Sequence, residues 1–456
     1  VTDYLPSYND DEWWQAALTI EGKIGNWDLV YSGGYMKREV RNEIDYSYYS
    51  VAYDTYGYYA TYFPDGAGGF LDPTQKQKLK YNYTKHTQEL RLSSPSDAPA
   101  RITFGGFYQR QFNDIDAQYI VAGLNSVPQS PYWFNAFGQI SGAPADVADV
   151  EYLKRLKRKD KDYALFAEGS YQLTDSLTAT AGIRVFWVDN SLFGFSGFHP
   201  WDTGNTVAKP CLPAAGFEPW IPCANVVATG QTTAMPRGTK ESGETHKINL
   251  SWQVDPTKML YATYSTGYRP GGVNRKNKYP PYKADKLSNY EIGWKTSWAN
   301  GTVRWNGAIF YEKWDDMIFT LARPGDNGVN SLANVGGAES KGIESDIVLR
   351  LGQLEITGSG AYIDASLTED FCNFDASNNC IVAAADGTRL PVQPKFKSTL
   401  AARYNYTIGS SDAFFQATMN SQSGTRTYLI DADNAAAGNT NGFTTFDFSM
   451  GIKLGE

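Results

Sequence analysis

The sequence predicts an all-β chain: one antiparallel wall of strands of the kind that forms a transmembrane barrel. Three observations predict it. Polar and apolar residues alternate with a period of two over long segments. The connections between these segments are alternately tight and long. The apolar faces are rich in Tyr, Trp and Phe. Asn289 to Trp314 shows all three. Tyr290, Ile292, Trp294, Thr296 and Trp298 share one face, opposite Asn289, Glu291, Gly293, Lys295 and Ser297. After the turn Ala299-Asn300-Gly301-Thr302, Val303, Trp305, Gly307, Ile309 and Tyr311 alternate with Arg304, Asn306, Ala308, Phe310 and Glu312. A period of two is a strand. A strand with one aromatic-rich apolar face and one charged face suits hydrocarbon outside and a wet or filled lumen inside.

Read in order, the chain gives about fifteen strands arranged as hairpins. The first runs from Glu12 to Glu21 and turns at Gly22–Asn26; the second rises from Trp27 to Arg41. Strands at Thr84–Ser93 and Arg101–Phe112 flank Ser94-Pro95-Ser96-Asp97. Lys161–Leu173 and Leu177–Asp189 meet at Thr174-Asp175-Ser176. Glu244–Val254 and Lys258–Arg269 meet at Asp255-Pro256-Thr257. The Asn289–Trp314 hairpin is followed by Lys341–Leu351 and Leu354–Ser366, turning at Gly352-Gln353. Lys395–Tyr406 and Phe414–Gly424 turn at Ile408–Asp412, and Phe443–Leu454 is the last strand. Every tight connection falls on one side of the wall and every long one on the other, as the periplasmic and extracellular sides of an outer-membrane barrel do. A sandwich or propeller would mix loop lengths more freely.

Composition agrees. The 456 residues hold 31 Tyr and 12 Trp, enough to supply interfacial girdles. No apolar run reaches the roughly 18–20 residues of a spanning helix, and alternating strands hide their hydrophobic face from a hydropathy average. The formal net charge of −8 argues against nucleic acid as a partner. His86, His199 and His246 are far apart, with no metal-binding spacing, and no catalytic Ser/His/acid set or acid pair is legible; the reading is a non-enzyme without a metal or cofactor. The four cysteines form two close pairs in long polar loops, Cys211 with Cys223 and Cys372 with Cys380, which reads as two local disulfides of an oxidising compartment. Val1-Thr2-Asp3-Tyr4 lacks the basic and apolar regions of a secretion signal, and the last strand stops at Gly455-Glu456 rather than at an aromatic residue. Residues 1–456 are therefore expected to be part of a longer barrel domain.

Five stretches carry a family resemblance. Thr87-Gln88-Glu89-Leu90-Arg91-Leu92-Ser93-Ser94-Pro95 and Tyr261-Ala262-Thr263-Tyr264-Ser265-Thr266-Gly267-Tyr268-Arg269-Pro270-Gly271-Gly272 resemble motifs of TonB-dependent outer-membrane receptors. So do Leu287-Ser288-Asn289-Tyr290-Glu291-Ile292-Gly293-Trp294-Lys295, Tyr311–Met317, and Asn334-Val335-Gly336 with Lys341-Gly342-Ile343-Glu344. Their common order makes the set far more specific than any one of them. The resemblance implies a barrel of about 22 strands around an N-terminal plug, in the outer membrane of a Gram-negative bacterium. On that pattern this chain lacks the plug, the opening strands and the last two strands. It also implies import of a scarce bulky nutrient, such as an iron–siderophore complex, a cobalamin-like cofactor or a glycan, driven by the TonB complex through the plug.

The expected ligand groups lie on the long-loop side: Tyr48 and Tyr49 in the tract Tyr46–Tyr62, with Trp133, Trp201 and Trp220 as stacking surfaces, and Arg269 and Asn274 at the mouth. Two readings of each stay open. The aromatics suit either ring stacking with a ligand or packing within loops, and Arg269 suits either an anionic ligand or a neighbouring carboxylate. A passive porin and a surface adhesin are the alternative functions of such a wall.

Overall fold

A computed structural model describes residues 3–49, 67–127, 136–139, 145–197, 226, 237–275, 279–321, 331–374 and 380–453. Fifteen strands form one antiparallel sheet in chain order. They are β1 (Tyr8–Ile24), β2 (Trp27–Asp45), β3 (Gln75–Ser93), β4 (Ala100–Val121), β5 (Val150–Thr174), β6 (Leu177–Gly197), β7 (Arg237–Asp255), β8 (Lys258–Arg269), β9 (Asp285–Trp298), β10 (Val303–Asp315), β13 (Ala338–Leu351), β14 (Leu354–Leu367), β17 (Phe396–Ile408), β18 (Ser411–Gln422) and β19 (Phe443–Ile452). Two small hairpins, β11 (Ile318–Leu321) with β12 (Ser331–Asn334) and β15 (Phe371–Phe374) with β16 (Cys380–Ala384), and a short helix, Asp431–Ala437, sit in the long connections. The expected number of wall strands and their strictly consecutive pairing are both present.

The tight ends follow from local chemistry. Gly25 and Gly352 each open a two-residue connection with a positive φ of 63° and 64°, a conformation glycine adopts without the Cβ penalty. At Asp255, the carboxylate accepts from Thr257 N at 2.8 Å and from Lys258 Nζ at 2.6 Å. These bonds hold its pKa down to about 2 and fasten the turn in its charged form.

The register sorts the faces. Trp294, Trp305, Ile309, Ile343, Ile347, Leu400 and Tyr404 lie on one face; Arg304, Glu344, Asp346 and Arg403 lie on the other. Trp305 packs edge-on against Trp294 at 5.1 Å, while Asn306, on the opposite face, donates to Asp346 at 3.0 Å. The first face is exposed along the wall, with Leu18, Leu90, Phe104, Leu165, Ile248, Ile292, Ile309, Ile343 and Leu400 all open. An exposed apolar face of this extent is the lipid-facing side of a membrane barrel. Near the long-loop side it is edged by aromatics in mutual contact: Trp14–Tyr35 at 4.9 Å, Tyr108–Tyr163 at 5.0 Å, and Tyr264–Tyr290 at 5.0 Å, continued by Tyr311.

The first seven strands are longer than the alternation predicts, mostly on the long-loop side. β3 starts at Gln75 rather than Thr84, β4 ends at Val121 rather than Phe112, and β5 starts at Val150 rather than Lys161. These extensions stand beyond the lipid, where no hydrocarbon imposes one apolar face, so the alternation fades. Cross-strand pairs hold them instead: Lys76 and Lys78 lie 3.0 and 3.3 Å from Glu43, and Arg155 lies 2.9 Å from Asp116. A packed core of Phe137, Val147, Val150, Leu153 and Phe195 occurs here too, and a second, of Met317, Leu321, Val335, Leu367 and Leu429, lies among the later long connections.

Candidate functional site

Sequence motifs and structure converge where β8, β9 and β10 leave the wall on the long-loop side. Arg269 ends β8 and Asp285 begins β9, directly opposite. Asp285 is buried and accepts from Arg269 Nε at 2.9 Å, Arg269 N at 3.2 Å and Ile318 N at 3.0 Å. Arg269 also donates to the Ile318 carbonyl at 2.9 Å and lies 4.8 Å above the Trp314 ring. One carboxylate therefore ties two wall strands to the β11–β12 hairpin.

The adjoining loop is fastened in the same way. Glu241 accepts from Gly271 N at 2.7 Å and from Ala284 N at 2.8 Å, and Gly272 and Tyr282 exchange backbone bonds at 3.0 Å. The Gly271-Gly272 pair is needed for this approach: a Cβ on Gly271 would stand 2.4 Å from the Tyr282 carbonyl, and one on Gly272 would strike the Tyr282 ring. Asn274, buried, donates to Leu332 O at 2.8 Å and to Pro280 O at 3.1 Å, and accepts from Leu332 N at 2.7 Å. Arg269 and Asn274 are thus brought together, as expected, but both are engaged with protein groups. The half-exposed Arg269 side chain keeps one edge open to a cavity of about 770 Å³. The inner-wall carboxylates Glu291, Glu312 and Glu344 line that cavity, and Tyr261 donates to Glu291 at 2.7 Å.

Of the expected stacking residues, Tyr48 and Tyr49 are described; Trp133, Trp201 and Trp220 lie outside the described residues. Tyr49 packs against Val121, Leu124, Val127 and Ala136, and stacks with Tyr46 at 5.2 Å. Tyr46 continues edge-on to Tyr119 at 4.9 Å, and Tyr119 to Tyr152 at 5.2 Å. Tyr48 is exposed, with Tyr4 edge-on at 5.9 Å. Tyr49 therefore packs within the loop, and Tyr48 is exposed beside Tyr4. Cys372 and Cys380 form a disulfide across β15–β16; Cys211 and Cys223 lie outside the described residues.

Three organising residues escaped the sequence reading. Asp285 shares the inward parity of Leu287, Asn289 and Glu291, and that parity was the available signal. Glu241 had none. Glu151, at the top of β5, accepts from Gln75 Nε2 in a fully buried site, and Gln75 N donates to Ser47 Oγ at 3.1 Å. Burial pushes the Glu151 carboxyl up to about 8, so it is neutral at pH 7. Its Oε1 and Gln75 Oε1 have no other partner, an arrangement a shared proton would satisfy.

A family model described as TonB dependent receptor-like, beta-barrel, matches residues 2–455. The ferric yersiniabactin uptake receptor FyuA from Yersinia pestis superposes with a TM-score of 0.64 at 14% identity, over 99% of this chain and 55% of that one. The siderophore receptor PiuA from Acinetobacter baumannii gives 0.63 at 13% identity, over 97% and 58%. The metal-pseudopaline receptor CntO of Pseudomonas aeruginosa is 28% identical over 167 residues, 36% of this chain and 21% of that protein. The chain thus spans little more than half the length of these solved receptors and about a fifth of the curated relative. With the strand order, the lipid-facing girdle and the five motifs, the match decides the family: the chain belongs to the TonB-dependent receptors, as part of their outer-membrane β-barrel.

Proposed function

We propose that the protein containing this barrel wall imports a scarce, bulky nutrient, with an iron–siderophore complex as the leading candidate. The observation that carries the reading is the family match across residues 2–455, together with relatives named as siderophore or metal-chelate receptors. Cobalamin-like cofactors and glycans are further candidates of similar bulk. The task of the wall is binding and passage rather than catalysis. The outer ends of the strands frame a vestibule in which Tyr48 offers a ring for stacking and Arg269 its open edge to an anionic group. Trp133, Trp201 and Trp220 complete the proposed ligand set, with Tyr49 and Asn274 holding the backbone that carries it. Residues 1–456 are then one portion of the barrel domain. A plug elsewhere in the full-length protein fills the lumen, and its cations answer the inner-wall charges Glu291, Glu312 and Glu344. The TonB complex supplies the energy to displace that plug.

The test is uptake of radiolabelled ferric siderophores by cells with and without TonB, beside conductance of the full-length protein in planar bilayers. TonB-dependent uptake with a closed pore supports the reading. Uptake indifferent to TonB with steady conductance identifies a passive porin, and no uptake of any chelate with retained cell-surface binding identifies an adhesin.

A further inference from the structure

The loop that follows β8 turns inward across the wall. Asn190 on β6 donates to the Gly271 carbonyl at 2.8 Å, and Val273 packs against Ile115, Leu156 and Leu192 on β4, β5 and β6. Two residues on, Arg275 reaches the outer ends of β3, β4 and β5, where its charge acts on Tyr81, Tyr119 and Lys154. Parity sets these three side chains on the lumen side. Tyr119 is in step with Phe107, and Lys154 with Ala164, and both of those pack on the inner face. Tyr81 stands directly opposite Ile115, and Leu156 completes that row.

Lys154 is half-buried among these groups, and among the described residues it has no hydrogen-bond acceptor, carboxylate or ring as partner. Its directly opposite neighbours are Ala117 and Ser196, and the Ser196 hydroxyl is engaged with Tyr152 Oη at 2.7 Å. Glu151, three residues up the strand, is bonded to Gln75 and neutral at pH 7. Other buried cations at the outer strand ends are answered. Arg155, on the opposite face of β5, lies 2.9 Å from Asp116 and 2.6 Å from Asp146, and Arg237 donates to the Tyr279 carbonyl. Burial, and then the charge of Arg275, push the Lys154 ammonium down to about 8, so it still carries its charge at pH 7. A cation taken from water regains its lost solvation only from an acceptor or an anion. Here the fold brings a second cation instead.

We propose, on the basis of the import function proposed above, that Lys154 is a specificity-determining residue: with Arg275 it selects a ferric chelate of net negative charge, held against the rings of Tyr81 and Tyr119. An anionic group of the chelate, a carboxylate or a catecholate oxygen, accepts from the Lys154 ammonium and turns the repulsion between the two cations into attraction. The half-buried tyrosine rings take the organic frame of the chelate. A neutral chelate of the same bulk meets the same rings but leaves the ammonium unanswered.

The experiment measures equilibrium binding to the full-length protein in detergent by isothermal titration calorimetry at pH 7. The probes are a ferric tris-catecholate and ferric citrate, both anionic, and a ferric trihydroxamate without net charge. The parent is expected to bind an anionic chelate more tightly than the neutral one. Lys154→Gln should weaken binding of that anionic chelate by about tenfold to a hundredfold and leave the neutral chelate within about twofold. Lys154→Arg, which keeps the charge, should retain most of the affinity. Equal binding of the anionic chelate by the parent and Lys154→Gln overturns the proposal. So does a parent that prefers the neutral chelate, or a loss in Lys154→Gln shared by both kinds of chelate. Those outcomes leave the import function standing, because a chelate is still bound. A parent that binds none of the probes overturns import of ferric chelates, and the role of Lys154 with it. Gel migration with and without heating reports the folded barrel. If Lys154→Gln fails that check, Lys154→Met, of similar length and without charge, takes its place and is read in the same way.

Discussion

Replacing Asp285 with Ala removes the acceptor that joins β8, β9 and the β11–β12 hairpin. Two partly buried backbone donors, Arg269 N and Ile318 N, lose their partner. Each unsatisfied donor costs about 1–3 kcal/mol, partly recovered where water enters. The Arg269 ion pair adds little, because its side chain is 52% exposed and returns to solvent. The loss is therefore about 2–4 kcal/mol, and local to the stem. At 1.4 kcal/mol per factor of ten, the Ile318 amide should exchange roughly 30- to 700-fold faster in native-state hydrogen exchange. Asp285→Asn, which keeps one acceptor, should fall between. The Gly272–Tyr282 bridge supplies an internal control: Glu241 holds it, so its amides should keep their protection in Asp285→Ala and lose it in Glu241→Ala. An Ile318 amide that exchanges within about twofold of the parent in a correctly inserted Asp285→Ala barrel would refute the role of Asp285 as the joint.

Further outcomes follow from the same geometry. Glu151 has its pKa raised in the fold, so its contribution is complete below the unfolded value of 4.5 and is lost as pH rises through about 8. Glu151→Gln should flatten that slope, read as exchange of the β3–β5 outer amides between pH 5 and 9; an unchanged slope contradicts the assignment. Ile309→Arg places a cation on the lipid face near the middle of β10 and should cost about 2–4 kcal/mol in urea-dependent folding into vesicles. Asn306→Arg, on the lumen face beside Asp346, should cost well under half as much. Cys372→Ser with Cys380→Ser should make the β15–β16 hairpin sensitive to protease and leave the melting of the wall unchanged, because the bridge closes a separation of eight residues.

What could be read from the sequence divides along the membrane boundary. Within the lipid, each wall residue meets either hydrocarbon or the lumen, so the solvent itself writes the period of two into β8, β9 and β10. Their bounds were legible within a few residues. Beyond the lipid, β3, β4 and β5 meet packed loops as well as water, and nothing in Lys76–Leu79 or Leu153–Lys161 distinguishes a strand from a charged loop. The candidate site shows the same split. Arg269 and Asn274 were found because they stand in or beside a recognisable motif. Their partners were not, since Asp285 and Ile318 come together only after the chain has left the wall and returned. The Cys372–Cys380 pair was legible because its loop is short enough for proximity to follow from spacing alone.

The motifs that identify the family are largely the joints of its loops, and this separates what they can specify from what they cannot. Gly271 and Gly272 allow the chain to lie against Tyr282; Arg269 saturates Asp285. Asn334 accepts from Lys283 N at 2.9 Å and donates to the Asp316 carbonyl at 2.7 Å. Gly336, at a φ of 94°, turns the chain beside Glu369, whose carboxylate accepts from Gly337 N. Apart from the open edge of Arg269, each of these residues is committed to groups of the stem, which are the same whatever ligand the loops carry. A group committed in this way fixes where a loop leaves the wall but says nothing about what its far end binds. Ligand choice therefore falls mainly to residues outside the motifs; among the described residues Tyr48 has an exposed side chain beside Tyr49, which packs into the loop. Rigid stems with variable tips let one wall serve chelates of different shape, since a change of tip leaves Asp285, Glu241 and Asn274 with all their bonds intact.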